Sequence, residues 1–124
     1  MPVPILAQPP YLIASVQTAL TDADLIGLQN DLFVEAQKRR CDGIVVDVTT
    51  LDVIDSFSTR TLQNLAAMLR LRGVETVIAG IQPAVAMAMV ELGLHIPDIR
   101  TALDLEAGLA YLRARSHRTV DRGH

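Results

Sequence analysis

Residues 43–48 read GIVVDV and are followed by two threonines, Thr49 and Thr50. A continuous β-branched run of this length is typical of a strand that is buried on both faces of a sheet. Apolar residues recur at helical spacing on either side of it, in residues 21–40 and 56–71. Alternation of helix and strand around a buried strand predicts an α/β domain with right-handed crossovers and a largely parallel inner sheet.

The two flanking segments also carry helix start and stop signals. The first helix is predicted to begin at a cap residue, Thr21 or Asp22, and to end at the basic residues 38–40. Its apolar face consists of Leu25, Leu28, Leu32 and Ala36. The second helix is predicted over 56–71, with Gly73 as its stop. Its apolar face consists of Leu62, Leu65, Ala66 and Leu69.

Proline and glycine residues indicate where the outer strands and helices begin and end. Residues 3–7 and 11–17 predict two strands joined by a tight turn at Pro9 and Pro10, at one edge of the sheet. Residues 74–79 predict the next strand. A third helix is expected to start at Gln82 and Pro83, and a final helix near Asp104. The whole pattern predicts a small mixed β-sheet of about four to five strands flanked by about four helices.

The length of 124 residues suits a single domain. We expect that domain to cover residues 1–115, and residues 116–124 to form a flexible C-terminal tail.

The composition argues against several classes of partner. A net charge of −3 lacks the basic footprint of proteins that bind nucleic acid or anionic membranes. Prolines interrupt the apolar N-terminus, so it does not resemble a signal peptide, and no window is long enough to span a membrane. The single cysteine, Cys41, excludes an internal disulfide. We therefore expect a cytoplasmic protein that binds neither nucleic acid nor membranes.

No arrangement of residues predicts a catalytic centre, a metal site or a cofactor. The histidines at positions 95, 117 and 124 are scattered, and the glycines never cluster as a phosphate loop requires. Asp47, Asp52 and Asp55 are interpreted as a helix cap and turn formers. The alternative is a small enzyme that uses Asp47, Asp52 and Ser56 around a metal ion.

The junction DVIDSFSTRT, residues 52–61, concentrates hydroxyl groups at a predicted helix start. A phosphate there would lie near the unpaired amides and the positive end of the helix dipole, so the fold could tolerate it. The added charge beside Asp55 would change the surface that a partner meets. The hydroxyls also suit simple helix capping. The candidates for phosphorylation are Ser56, Ser58, Thr59 and Thr61.

Two apolar features leave open whether they are core or surface. Phe57 either packs into the core or is exposed as an anchor for a partner. The third helix is apolar nearly all round. Three or four of five apolar residues in it should be buried, and the rest would suit self-association. These residues are Val85, Ala86, Met87, Met89 and Val90.

Four segments of the chain resemble a known family. They are PVPIL, GIVVDVTTLDVIDSF, GIQPAVAMAMVELGL and TALDLEAGLAYL. In this order they resemble STAS domains, the anti-sigma-factor antagonists, and in particular the RsbS type of bacterial stressosomes. The resemblance runs from about residue 4 to residue 113. It implies a small sheet flanked by helices and no catalytic activity.

The resemblance also implies partners and a site. It implies that Ser56 is phosphorylated by an RsbT-like serine kinase of the GHKL type, with RsbR-like proteins as co-scaffold, self-association, and a phosphatase for reset. The partner-binding surface is expected to comprise Asp55, Phe57, Thr59 and Arg60. The family usually has apolar or small residues after DSF, whereas this sequence has Ser58, Thr59 and Thr61. These three residues therefore remain open as less favoured phosphorylation sites. The alternative role is a free-standing anti-sigma-factor antagonist controlled by serine phosphorylation.

Overall fold

The computed structural model describes residues 3–17, 20–93 and 99–122, with side chains described as far as residue 115. Within these residues the chain forms five strands and four helices. The strands are β1 Ile5–Gln8, β2 Tyr11–Ser15, β3 Gly43–Asp47, β4 Glu75–Ala79 and β5 Arg100–Ala102. The helices are α1 Asp22–Lys38, α2 Ser56–Leu71, α3 Pro83–Glu91 and α4 Leu105–Arg122. The predicted α/β class with its mixed sheet is confirmed.

The strands form one sheet in the order β1-β2-β3-β4-β5, which is also their order along the chain. β1 pairs with β2 antiparallel as a hairpin, and the other three pairings are parallel. The register places Val45 of β3 between Ile13 of β2 and Val77 of β4. The carboxyl ends of β2, β3 and β4 therefore meet at one edge of the sheet, where α1, α2 and α3 begin.

The core lies on both faces of the sheet because side chains alternate along each strand. Ile44 and Val46 of β3 point to the face covered by α1 and α2, where Leu32 and Leu69 are among the fully buried residues. Val45 points to the opposite face, which α4 covers with Leu109 and Leu112. All three β3 side chains are completely buried, as the β-branched run predicts.

The start of α1 is a capping box. The Thr21 hydroxyl accepts a hydrogen bond from the Asp24 amide at 3.1 Å, and the Asp24 carboxylate accepts one from the Thr21 amide at 3.2 Å. These two bonds satisfy amides that have no partner inside the helix. The prediction of a cap at Thr21 is thus confirmed. None of the helices in the described part of the chain is long and apolar enough to cross a membrane.

The C-terminal helix is longer than the sequence pattern indicated. The backbone of α4 follows a helical course to Arg122, so the helix passes through the boundary expected at residue 115. The flexibility of residues 116–124 stays a prediction. His95 and His124 lie outside the described residues, and His117 lies on α4.

The third helix buries fewer apolar side chains than expected. Val85 and Met89 are buried and Ala86 is partly buried, whereas Met87 and Val90 are exposed. The helix is short and its one charged residue, Glu91, is the last, so the sequence pattern could not separate the two sides.

Candidate functional site

The first turn of α2 is organised by Asp55. Its backbone is extended (φ −114°, ψ 177°), and its Oδ1 accepts a hydrogen bond from the Ser58 amide at 2.7 Å. An N-cap carboxylate of this kind satisfies one of the orphan amides and suits the positive end of the helix dipole. Ser56 is therefore the first residue inside the helix, at the exposed edge where the β3–α2 loop ends.

The same contacts keep Asp55 ionised. The hydrogen bond from the Ser58 amide, and after it the bond from the Ser58 hydroxyl, lower the pKa of the Asp55 carboxyl below its ordinary value of 3.8. The side chain is exposed, so water screens much of this effect. A carboxylate therefore stands one residue before Ser56 at neutral pH.

Replacing Asp55 with asparagine is expected to alter the dependence of stability on acid. Because the folded-state pKa of Asp55 is lowered, its carboxylate stabilises the fold above pH 3.8, and this contribution is lost as the pH falls through the folded-state pKa. Asparagine caps helices about as well but carries no charge. The wild type should have the higher free energy of unfolding. Its advantage over Asp55→Asn should stay constant above about pH 5 and become smaller below it. Urea unfolding across this range measures the gap; parallel curves for the two proteins would contradict the assignment.

The four candidate hydroxyls lie in different environments. Thr59 is only 3% exposed, and its hydroxyl donates to the Asp55 carbonyl oxygen at 2.9 Å. The Thr61 hydroxyl donates to the Phe57 carbonyl oxygen at 2.7 Å. Ser58 is partly buried, and its hydroxyl donates a hydrogen bond to the Asp55 carboxylate. Ser56 is exposed, and within the described chain no hydrogen bond engages its hydroxyl. Ser56 is thus the most accessible of the four.

The expected partner surface needs one correction. Asp55 and Arg60 are exposed, and Phe57 is 37% exposed, so these three side chains can meet a partner. Thr59 cannot, because it points into the domain and its hydroxyl is used by its own helix. Thr59 is as polar as its neighbours in the sequence, and only its position on the inner side of the helical turn distinguishes it from them.

Asp47 and Thr49 shape the loop that leads to α2. Asp47 Oδ1 accepts hydrogen bonds from the Thr49 amide at 3.0 Å and from the Thr49 hydroxyl at 2.6 Å. The interpretation of Asp47 as a turn former and of Asp55 as a helix cap is confirmed by these contacts. Among the described residues no group of three His, Cys, Asp or Glu side chains is placed to hold a metal ion.

A contact that the sequence does not reveal joins the β3–α2 junction to the β4–α3 junction. Gln82, the N-cap residue of α3, donates from Nε2 to the Thr49 carbonyl oxygen at 2.7 Å. Gly80 lies against the same threonine with φ of +79°, and a Cβ added there would lie 3.1 Å from the Thr49 Cα. Gln82 and Thr49 are 33 positions apart in sequence, so no local pattern signals the hydrogen bond between them.

An apolar pocket of about 150 Å³ lies beside the first turn of α2. Its lining includes Leu20 and Leu25 from α1 and its approach, Leu51 and Val53 from the β3–α2 loop, and Asp55 and Ser58 at the cap. Val53 is 58% exposed. An apolar cavity of about 150 Å³ can hold a molecule the size of benzene, so this pocket has room for one apolar side chain of a partner.

Comparison with known proteins identifies the family. A model of the STAS domain matches residues 4–107. The structure of a serine-to-glutamate variant of Moorella thermoacetica RsbS has a TM-score of 0.83 at 32% identity, over 93% of this chain and 97% of that one. A chain in a structure of the stressosome, described as a signal integration and transduction hub, has a TM-score of 0.79 at 33% identity, over 91% of this chain and 98% of that one.

A third relative is a longer protein. The RsbT co-antagonist protein RsbRB of Bacillus subtilis is 29% identical over 110 residues, which are 89% of this chain but 39% of RsbRB. The chain thus spans about two fifths of that relative. Since the family model covers most of its length, the chain belongs to the STAS domain family. It is a STAS-domain protein related to the stressosome proteins RsbS and RsbR.

Proposed function

We propose that this chain is a non-catalytic, RsbS-like scaffold component of a cytoplasmic stressosome, which holds an RsbT-like serine kinase until Ser56 is phosphorylated. The observation that carries the proposal is the exposed Ser56 at the first position of α2, with its hydroxyl unengaged by the described residues. Similarity to RsbS over nearly the whole of both chains supports the role, as does similarity to RsbRB, an RsbT co-antagonist.

The proposed reaction belongs to the kinase. The Ser56 Oγ forms a bond to the γ-phosphorus of ATP, the bond from that phosphorus to the bridging oxygen breaks, and ADP leaves. The serine proton passes to a base on the kinase. The domain itself contributes an accessible hydroxyl and a helix start that tolerates the product.

The product changes the docking surface rather than the fold. A phosphate carries about −1.5 to −2 charges at neutral pH, and here it adjoins the ionised Asp55. The amide groups of the first helical turn offset this charge within the domain. A kinase surface that fits the unmodified carboxylate and hydroxyl meets both extra charge and extra bulk, and the kinase dissociates.

The partners follow from the same role. We propose that RsbR-like STAS proteins co-assemble with copies of this chain, that the assembly binds the GHKL-type kinase, and that a phosphatase removes the phosphate from Ser56. The kinase is proposed to contact Asp55, Phe57 and Arg60, and to place an apolar side chain in the adjacent pocket. Nucleic acid and membranes are not among the proposed partners.

The direct test is phosphorylation of the purified chain by its RsbT-like kinase with ATP, followed by mass mapping. We expect one phosphate on Ser56 and none on the buried Thr59. The matched variants are Ser56→Ala and Ser58→Ala. Phosphate retained in Ser56→Ala, or lost only in Ser58→Ala, would refute the site.

The second candidate is a free-standing anti-sigma-factor antagonist with the same phosphorylated serine. It is supported by the match of the STAS domain model to residues 4–107. Mixing with an RsbR-like protein separates the roles, because a megadalton particle requires the scaffold and a persistent monomer or dimer requires the free antagonist. A metal-dependent enzyme using Asp47, Asp52 and Ser56 has less support, since the Asp47 carboxylate is engaged by Thr49 in the turn.

A further inference from the structure

A polar cleft of about 490 Å³ lies at the amino ends of β4 and β5, at the opposite end of α2 from Ser56. Three arginines line it: Arg70 from the last turn of α2, Arg100 at the start of β5, and Arg115 from α4. Glu75, Thr101 and Tyr111 also line the cleft. Neither the proposed kinase surface nor the apolar pocket shares a residue with this cleft.

Two of the arginines are held in place by neighbours. The guanidinium carbon of Arg100 lies 4.7 Å from the centroid of the Tyr111 ring, a cation–π arrangement. A guanidinium that lies over an aromatic ring still has N–H groups that can donate to an anion. Arg115 Nη2 lies 3.5 Å from Glu75 Oε2, and the Glu75 side chain is only 14% exposed. These contacts reduce the conformational freedom that binding would otherwise remove.

The charge balance of the cleft favours a doubly negative ligand. Its described lining carries three guanidinium groups and one carboxylate, so cationic side chains outnumber anionic ones among these residues. Guanidinium groups bind carboxylate and phosphate oxygens through paired N–H donors, and such charge-assisted hydrogen bonds are stronger than neutral ones. The Thr101 residue in the same lining adds a hydroxyl that can donate to an oxyanion.

We propose that this cleft binds a dianionic phosphate group, either free in solution or carried by a phosphorylated side chain of a protein. The site is separate from the switch residue, since Ser56 and Arg70 are fourteen positions apart on one helix, or roughly 21 Å along its axis. The proposal does not depend on phosphorylation of Ser56.

The test is a titration of the full ¹⁵N-labelled chain with inorganic phosphate, at constant ionic strength maintained with sodium chloride. We expect saturable shifts of the backbone amides of residues 99–101 and 115. Arg70→Gln and Arg100→Gln are each expected to weaken binding about tenfold, because each removes a charge-assisted hydrogen bond. Arg72→Gln is the matched control, since it removes the same charge from the same helix end but does not line the cleft.

The outcomes separate the source of the phosphate and can overturn the site. A short phosphoserine peptide that binds more tightly than inorganic phosphate identifies a protein-borne group, and equal affinity identifies the free anion. Arg70 is exposed, so Arg70→Gln alone keeps the test decisive if Arg100→Gln does not fold. Shifts that do not saturate, or that respond equally to Arg70→Gln and Arg72→Gln, would overturn the proposal.

Discussion

Replacing Ser56 with aspartate is expected to weaken binding of the RsbT-like kinase at least about tenfold, whereas alanine leaves the affinity nearly unchanged. The exposed hydroxyl makes no hydrogen bond within the described residues, so its removal leaves no buried group unpaired. Aspartate instead places a second negative charge beside the ionised Asp55. Isothermal titration calorimetry of each variant with the kinase measures the difference.

Asparagine at position 56 separates charge from bulk, because it has nearly the shape of aspartate without the charge. We expect Ser56→Asn to bind the kinase much as alanine does. The thermal midpoint of Ser56→Asp should not fall, because a negative charge suits the first turn of a helix. Equal kinase affinity for the aspartate and alanine variants would exclude a charge switch, and a loss as large with asparagine as with aspartate would assign the effect to bulk.

Replacing Gly80 with alanine is expected to lower the free energy of unfolding by about 2–5 kcal/mol. The φ of +79° is unfavourable for any residue with a Cβ, and the added methyl would crowd Thr49, with its Cα at 3.1 Å. Thr49 cannot easily move away. The Val48 amide donates to the Ala79 carbonyl at 2.9 Å, and Gln82 donates to the Thr49 carbonyl at 2.7 Å.

Gly73 provides the matched control for this variant. It has the same φ of +79°, but a Cβ added there would meet no atom within 4 Å. In Gly73→Ala the free energy of unfolding should therefore fall only by the cost of the left-handed backbone conformation, about 1–2 kcal/mol. Urea unfolding of both variants gives the difference, which measures the contact between Gly80 and Thr49. Equal losses would mean that the two loops adjust freely around the extra methyl group.

Most of the fold could be predicted because its signals are local. Thr21 and Asp24 form a capping box within four residues of one another. The apolar run from Ile44 to Val46 predicts a buried strand without any knowledge of the helices that cover it. The short edge strand β5 was not located by the sequence pattern. Its three residues, RTA, show no buried alternation because they pair through the backbone at the margin of the sheet.

The candidate site was predicted in outline but not in its internal contacts. The start of α2 at Ser56 follows from periodicity and from the cap at Asp55. The burial of Thr59 depends on which side of the helix faces the core. Its hydroxyl donates to the Asp55 carbonyl oxygen, so the buried hydroxyl has a hydrogen-bond partner. The bond between Gln82 and Thr49 depends on the pairing of β3 with β4, and no spacing in the sequence encodes it.

The sheet order has a consequence for synthesis. Among the residues that the structure describes, every hydrogen-bonded pair of strands joins two that are consecutive in the chain, from the β1–β2 hairpin to β5. Each new strand that leaves the ribosome can therefore add to the margin of a sheet that already exists, and no strand has to be inserted between two earlier ones. The nascent domain grows in one direction, and its last strand completes the edge.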